Sequence, residues 1–431
     1  MIRWSNYLMQ FQDTNSIMIY KSISDNLFEI DNKLFKRIEE YLTEKISKNE
    51  LSSQEKKTIS ELYMNGFLIE ADCDEIEVYE KSYYESVGEE KKGTVYFAPS
   101  FECNLRCTYC IVGENVTSSV HIKRMDKNLT NKVAEYIYNS AISNMIEELS
   151  VLLYGGEPCL SHKNNIELIK RLMELNEDKR LRIRYTLITN GYELAEYMSR
   201  ELAELGVNNI QITLDGPDFI HNKRRIGQNG EKTFDRIISN IKKNLQFFSN
   251  WVIRVNVDNE NVDSVRMLIE QLDNIGLNKK CTLHFNLVDP SDFSEASGYN
   301  DYTIHRFKEI YEYGYEKGFQ IAPWRRYCSV PDKLYISIDP FGNVYRCPNC
   351  MGEEKQCKDN VIYSDHWKYV PVELNEKCLK CENVGVCNGG CDAMRRTSSV
   401  GEDYCFKKEN YYMAKYYFLA KYHRLKNIER R

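Results

Sequence analysis

The sequence predicts an α/β chain: an open, partial barrel of six β-α units, preceded by a small module and followed by a cysteine-rich segment. Three observations predict this. From Gly93 to about residue 320, short apolar runs alternate six times with amphipathic helical runs. Residues 1–75 follow another rhythm, strands first and helices after. Beyond residue 320 the periodicity fades, and nine of the chain's 15 cysteines fall between Cys328 and Cys405.

The elements follow in order. "YLMQFQDTNSIMIYKSISDNLFEID" reads as two or three short strands joined by polar turns. "DNKLFKRIEEYLTEK" places Leu34, Ile38 and Leu42 at helical spacing behind an Asp31 or Asn32 cap. "SSQEKKTISELYMNGFLIE" opens on serine caps and ends its helix near Asn65-Gly66. Residues 1–75 therefore read as a winged-helix-like module, and the charged stretch 76–93 as a linker. The barrel, 94–320, takes its strands from "GTVYFAPSFEC", "ELSVLLYGGEP", "LRIRYTLITNG", "VNNIQITLDGP", "WVIRVNVDNE" and "KCTLHFNLV". Helical runs such as "NNIELIKRLMELNE" and "TFDRIISNIKKNLQFF" separate them. Strand-helix units in series imply a parallel sheet with right-handed crossovers. Six are too few to close an eight-fold barrel, and chemistry on such sheets sits at the C-terminal ends of the strands. Residues 321–410 form the cysteine-rich region, and 411–431 read as a helix with a basic tail.

Composition excludes several classes. The 431 residues carry a net charge of -6, which argues against nonspecific nucleic-acid binding. No long uncharged apolar run predicts a membrane span. The opening residues lack a basic stretch followed by an apolar one, so no export signal is read and a cytoplasmic location is expected. In a reducing compartment, 15 cysteines point to metal binding or catalysis rather than disulfides.

The sharpest motif is "SFECNLRCTYC", with Cys103, Cys107 and Cys110 directly after the first barrel strand. A structural zinc site takes four protein ligands, and a 4Fe–4S cluster takes one per iron. Three cysteines on one loop leave one iron open to a small molecule. A zinc site completed from elsewhere is the alternative. "YGGEP", with Tyr154, Gly155, Gly156, Glu157 and Pro158, follows the second strand, and its glycines permit close backbone approach. Thr189 and Asn190 end the third strand, Thr213 and Asp215 the fourth, and Asn256 the fifth.

On these motifs the chain resembles the radical S-adenosylmethionine (AdoMet) enzymes, whose CxxxCxxC signature Cys103, Cys107 and Cys110 match. The resemblance implies a partial (β/α)6 TIM-like barrel and AdoMet bound to the open iron of a 4Fe–4S cluster. It also implies a 5′-deoxyadenosyl radical that abstracts hydrogen from substrate, the cofactor carrying the hard chemistry. Tyr154 to Pro158, Thr189, Asn190, Thr213, Asp215 and Asn256 would then line the cofactor. Arg225, with Arg224 as substitute, would pair with its carboxylate.

The array Cys378-x2-Cys381-x5-Cys387-x3-Cys391, then Cys405, is similar to the SPASM extension of that superfamily. The resemblance implies two auxiliary 4Fe–4S clusters, making three in all. Cys378, Cys381, Cys387 and Cys405 would hold the distal one, and Cys328, Cys347 and Cys391 the nearer. Its fourth ligand stays open between Cys350, Cys357 and substrate. Cys73, Cys159 and Cys281 fall outside every motif and read as buried free thiols.

The early module resembles the recognition element of ribosomal-peptide maturases, which add a leader peptide as a strand to a sheet edge. The reading is a maturase that cross-links a ribosomally made peptide, a cysteine-to-carbon thioether being expected and a carbon–carbon link the near variant. Its partners would be a leader-bearing precursor and an electron donor of flavodoxin or ferredoxin type, with no nucleic acid and no membrane. The alternatives are an anaerobic sulfatase-maturating enzyme, which forms formylglycine, and an iron-sulfur carrier without turnover. Sulfatase maturases carry an aspartate where this chain has Pro348.

Overall fold

The computed structural model describes residues 1–110, 124–288, 298–323, 328–391, 394–395 and 405–429. The N-terminal module begins with β1 (Ile2–Trp4) and a three-stranded antiparallel meander, β2 (Leu8–Gln12), β3 (Ser16–Lys21) and β4 (Asn26–Asp31). Helices α1 (Asn32–Leu42) and α2 (Ser53–Met64) follow, and β5 (Leu68–Glu70) returns to pair with β1. The caps obey the local rules. Asp31 accepts from the Lys33 and Leu34 amides, and Ser52 and Glu55 form a capping box. One face of the meander buries Ile19 and Ile30 against Ile38 and Leu62 of the two helices.

The segment expected as a linker is instead helix α3 (Glu75–Glu89), capped by Asp74. Its charges conceal an apolar stripe. Tyr79, Tyr83 and Val87 recur at fourth positions and pack with Tyr7, Leu379 and Val384. Glu75 is buried, hydrogen-bonded by Ser5 and paired with Lys21 at 3.2 Å, so α3 is fastened to the meander.

The barrel strands are β6 (Lys92–Phe97), then, after the short β7 (Leu105–Cys107), β8 (Glu148–Leu153), β9 (Arg182–Thr189) and β10 (Val207–Thr213). Past β11 (Arg225–Gly227) come β12 (Asn250–Val257) and β13 (Cys281–Leu287). The intervening helices are α4 (Lys127–Ser143), α5 (His162–Leu175), α6 (Glu196–Glu204), α7 (Asp218–Arg224), α8 (Phe234–Asn244) and α9 (Val265–Asn274), with α10 (Asp301–Glu316) after β13. The six main strands pair in parallel and in sequence order, as the alternation predicts. Their outer positions, such as Val95, Val151, Leu187, Ile212, Ile253 and Leu283, join one core with the helices.

The cysteine-rich region is less irregular than expected. After β14 (Gln320–Ile321), which lies beside β13, β15 (Leu334–Ile338) pairs in parallel with β6. Then β16 (Asn343–Tyr345) and β17 (Asp359–Asn360) extend the same sheet antiparallel. The sheet therefore has ten strands among the described residues, and its boundary does not coincide with the end of the barrel repeats. Two single-turn helices, α11 (Glu376–Leu379) and α12 (Val384–Cys387), carry the later cysteines.

Helix α13 (Lys407–Glu429) closes the chain; Arg430 and Arg431 of the basic tail lie outside the described residues. It packs on α10, where Tyr416 meets His305, and on the second face of the meander, where Phe418 stacks near Phe11 and Tyr20. The module also touches the segment that carries the late cysteines. Tyr7 donates to the Leu379 carbonyl at 2.7 Å and Ser22 to the Glu382 carbonyl at 2.6 Å. Gly385, between Cys381 and Cys387, lies so close to the Ser22–Ile23 backbone that a Cβ would overlap it. No helix among the described residues is long and apolar enough to cross a membrane.

Candidate active site

The three early cysteines sit on a loop held at both ends. β7 pairs antiparallel with β11, which sets Cys107 opposite Arg225. The Leu105 amide points at the Cys103 sulfur at 3.4 Å, and the Cys110 amide closes a turn on the Cys107 carbonyl at 3.2 Å. Burial pushes the Cys103 thiol up to about 12 and Cys107 to about 11. Thiolates are disfavoured in such a pocket unless a positive charge joins them, which a metal site supplies.

The glycines of "YGGEP" do allow a close approach, but to the cysteine loop. Gly155 adopts φ +126°, and a Cβ there would meet the Ser100 carbonyl at 2.5 Å. A Cβ on Gly156 would overlap the Phe101 and Glu102 carbonyls. The Gly156 amide donates to Ser100 at 3.0 Å and the Glu157 amide to Glu102 at 2.9 Å. Glu157 is 1% exposed, and its carboxylate is taken up by protein donors. It accepts from the Thr189 hydroxyl at 2.6 Å, the Asn190 amide at 2.8 Å and the Cys159 amide at 2.9 Å. Burial raises its pKa, and these donors pull the other way. Pro158 opens the short helical turn that follows and accepts from Asn165. Asn190 in turn reaches Asn104 at 2.8 Å, beside Cys103. Three loops of the sheet thereby converge. Cys159 is a packed thiol, 3.4 Å from the Thr189 hydroxyl, with a pKa pushed well up by burial.

A second network gathers around Tyr109, between Cys107 and Cys110. Its hydroxyl donates to Asp215 and accepts from Arg225 at 2.7 Å and Asn256 at 3.2 Å. Asp215 is fully buried, accepts the Asn256 amide at 3.0 Å and donates its own amide toward His221. Thr213 is 9% exposed and lies in register with Arg254. Arg224, the substitute expected for Arg225, keeps buried guanidinium nitrogens, Nε and Nη2, without a hydrogen-bond partner, while its Nη1 is engaged. It is 3% exposed and paired with Asp258 at 2.8 Å and Glu260 at 3.2 Å. Arg225 keeps a buried Nε without a partner, as Asn104 does its Nδ2. The pocket thus holds a three-cysteine loop together with buried donors that no protein group satisfies.

Residues 98–272 match the family described as the Radical SAM superfamily. This stretch is a radical SAM domain. Domains of this family bind AdoMet and a 4Fe–4S cluster, and the three-cysteine loop fits that requirement. The chain is 24% identical over 435 residues to the radical SAM cyclopropyl synthase TigE of Paramaledivibacter caminithermalis, covering 88% of this chain and 87% of that one. It is 24% identical over 359 residues to a cysteine-type anaerobic sulfatase-maturating enzyme of Clostridium perfringens, covering 73% and 91%. Among solved structures, native anSMEcpe with bound AdoMet shares the fold at TM-score 0.57, 21% identity and coverage of 78% and 98%. Streptococcus suis SuiB bound to precursor peptide SuiA shares it at TM-score 0.53 and 14% identity, covering 93% of this chain and 100% of that one.

Behind the radical SAM domain the late cysteines fall into two groups. Cys378, Cys381 and Cys387 each lie within electrostatic reach of Cys405. Cys347 touches Cys350 and faces Cys391, while Cys328 and Cys347 both act on Tyr335. Among the described residues no three His, Cys, Asp or Glu side chains, those of Cys103, Cys107 and Cys110 included, are arranged as a cage for a single ion. Cys281 is buried at the start of β13, and burial pushes its thiol up to about 12; Cys73 is half-buried beside Arg3.

Sequence reasoning missed Tyr109 and the lining of the barrel interior. Tyr96, Arg254, His284 and Tyr335 occupy inner, half-buried positions of the strands. Tyr96 packs edge-on to Tyr154 at 5.5 Å and to Tyr335 at 5.8 Å. Tyr154 lies between Cys110 and Cys347, whose charges both act on it. The tyrosines therefore wall the space between the early cysteines and Cys347. The available signal was the polar residue at every second position of apolar strands.

Proposed function

We propose that the chain is a radical SAM peptide maturase that installs a cross-link, a cysteine-sulfur-to-carbon thioether, in a ribosomally made precursor. The observation that carries this reading is the N-terminal module docked on the segment between the late cysteines, within a fold likeness to peptide-bound SuiB that spans 93% of this chain. The match to a radical SAM cyclopropyl synthase over 88% of the chain supports bond formation at carbon, and it keeps a carbon–carbon link as the near variant of the thioether.

In this reading Cys103, Cys107 and Cys110 hold the cluster of the radical SAM domain. Tyr154, the Gly155–Pro158 turn, Thr189, Asn190, Thr213, Asp215, Arg225 and Asn256 surround AdoMet. The bound cofactor supplies a carbon-centred radical able to take hydrogen from substrate. The protein's share is aim and shielding. Arg225, with its free Nε, offers a charge-assisted donor to a carboxylate. Tyr96, Tyr154 and Tyr335 exclude water from the space where a peptide side chain would enter. The distal group, Cys378, Cys381, Cys387 and Cys405, and the nearer group, Cys328, Cys347 and Cys391, hold two auxiliary 4Fe–4S clusters. The outer edge of β4, beside which no strand lies among the described residues, receives the leader as an added strand. A flavodoxin- or ferredoxin-type donor supplies the electrons.

A second reading, sulfatase maturation, is favoured by the likeness to the C. perfringens enzyme over 73% of the chain. Pro348 after Cys347 and the docked module speak against it. The test is the mass of a cysteine-containing precursor peptide after anaerobic incubation with enzyme, AdoMet and reductant. A cross-link removes two hydrogens and keeps the sulfur. Formylglycine formation loses the sulfur and would overturn the proposal.

A further inference from the structure

We infer that Cys350 is the fourth protein ligand of the nearer auxiliary cluster, closing a site formed with Cys328, Cys347 and Cys391 and leaving it no open iron. This deepens the proposed function and rests on its assignment of that cluster.

Cys347-Pro348-Asn349-Cys350 is one tight turn. The Cys350 amide donates to the Cys347 carbonyl at 3.0 Å, and Pro348 fixes the backbone at its first position. A Cys-x2-Cys turn directs two sulfurs to one side, the geometry by which such pairs grip metal. Here the two thiols are in hydrogen-bond contact. Cys350 is 5% exposed and belongs to an apolar pocket with Ala98, Phe101, Tyr345 and Met351. Cys110, Cys347 and Cys391 pack against that same pocket, so Cys350 faces the barrel and not solvent.

Cys357 borders the pocket too, but its thiol is committed elsewhere. It donates to the Asp359 carbonyl at 3.1 Å, on the short strand that pairs with β16. The Asp359 carboxylate accepts from Tyr136 at 2.7 Å, which fixes that strand against α4. Turning Cys357 toward Cys347 would break this contact. Cys350 needs no such movement.

The consequence is chemical. A cluster with four cysteine ligands has no iron free for a substrate sulfur. The cysteine of the peptide would then meet the reacting carbon without being held by the nearer cluster, which is left with electron transfer.

The test compares full-length wild type, Cys350→Ala and Cys357→Ala after anaerobic iron-sulfur reconstitution. It measures iron and acid-labile sulfide per chain and the electron paramagnetic resonance of the reduced proteins. Cys357→Ala is expected to match wild type, and Cys350→Ala to lose iron or change its spectrum. With AdoMet present to occupy the open iron of the three-cysteine cluster, adding 2-mercaptoethanol should leave the wild-type spectrum unchanged and alter that of Cys350→Ala. Should Cys350→Ala fold poorly, iodoacetamide labelling of the wild-type holoprotein decides. Cys350 is expected to be protected until the iron is chelated. Full iron with an unchanged spectrum in Cys350→Ala, free labelling of Cys350, or a thiol-induced change in wild type would overturn the inference. Those outcomes leave the peptide-processing proposal standing. Wild type holding only about four irons would remove the auxiliary clusters themselves.

Discussion

The carboxylate of Glu157 accepts the hydroxyl of Thr189 at 2.6 Å, across 32 residues of chain. This bond, with those from Asn190 and Cys159, ties the loop after β8 to the end of β9. Glu157→Gln would turn an amide NH2 toward a backbone N–H, leaving a buried donor pair unsatisfied. The expected cost is about 2 kcal/mol of stability, with weaker AdoMet binding. Anaerobic chemical unfolding together with equilibrium dialysis of AdoMet checks both. A variant as stable as wild type would refute the role.

Gly156→Ala places a methyl group on the Phe101 and Glu102 carbonyls. Both are backbone atoms, so the cysteine loop must shift. Iron per chain should fall by about four relative to wild type after reconstitution. Retention of full iron would show that the loop yields without losing its cluster.

Tyr109→Phe removes the hydroxyl shared by Asp215, Arg225 and Asn256. Arg225 loses a fixed partner while the cysteines stay in place. AdoMet affinity should drop about tenfold, or ~1.4 kcal/mol, with iron content unchanged. Loss of iron as well would mean that Tyr109 shapes the loop itself.

His284, inside the barrel, has its pKa pushed down to about 4 by burial and then by nearby Arg254. In the unfolded chain an imidazole titrates near 6.5. The unfolded state therefore takes up the proton first as pH falls. Stability from the neutral ring is full above about 6.5 and drains away toward 4. Moving from pH 7.5 to 5.5 should cost wild type about 1 kcal/mol that His284→Gln does not lose. Unfolding midpoints of both proteins at the two pH values decide the matter.

The six barrel strands were legible because their period is simple and their turns carry Gly, Asn and Asp. The three-cysteine loop was legible because its spacing leaves few chemical options. Helix α3 was not, since Glu77, Glu80, Lys81 and Glu85 outnumber its apolar stripe. The role of Arg224 was also hidden. Adjacent arginines look alike in sequence, and only the fold shows that Arg224 Nη1 meets Asp258, 34 residues further on, while Arg225 Nη1 meets Tyr109. Tyr109 escaped because a lone tyrosine between two cysteines carries no spacing signal, and its partners Asp215, Arg225 and Asn256 lie more than a hundred residues away. Strands β15 to β17 escaped because cysteines and turns interrupt their short apolar runs.

The contact between Gly385 and the Ser22 backbone has an environmental meaning. The module that would read a peptide rests on the loop between Cys381 and Cys387, and the neighbouring Cys405 is exposed. With the cluster proposed for Cys378, Cys381, Cys387 and Cys405 in place, oxidation on that side would unseat the module along with the irons, so damage to one part of the molecule would be felt as a loss of substrate reading.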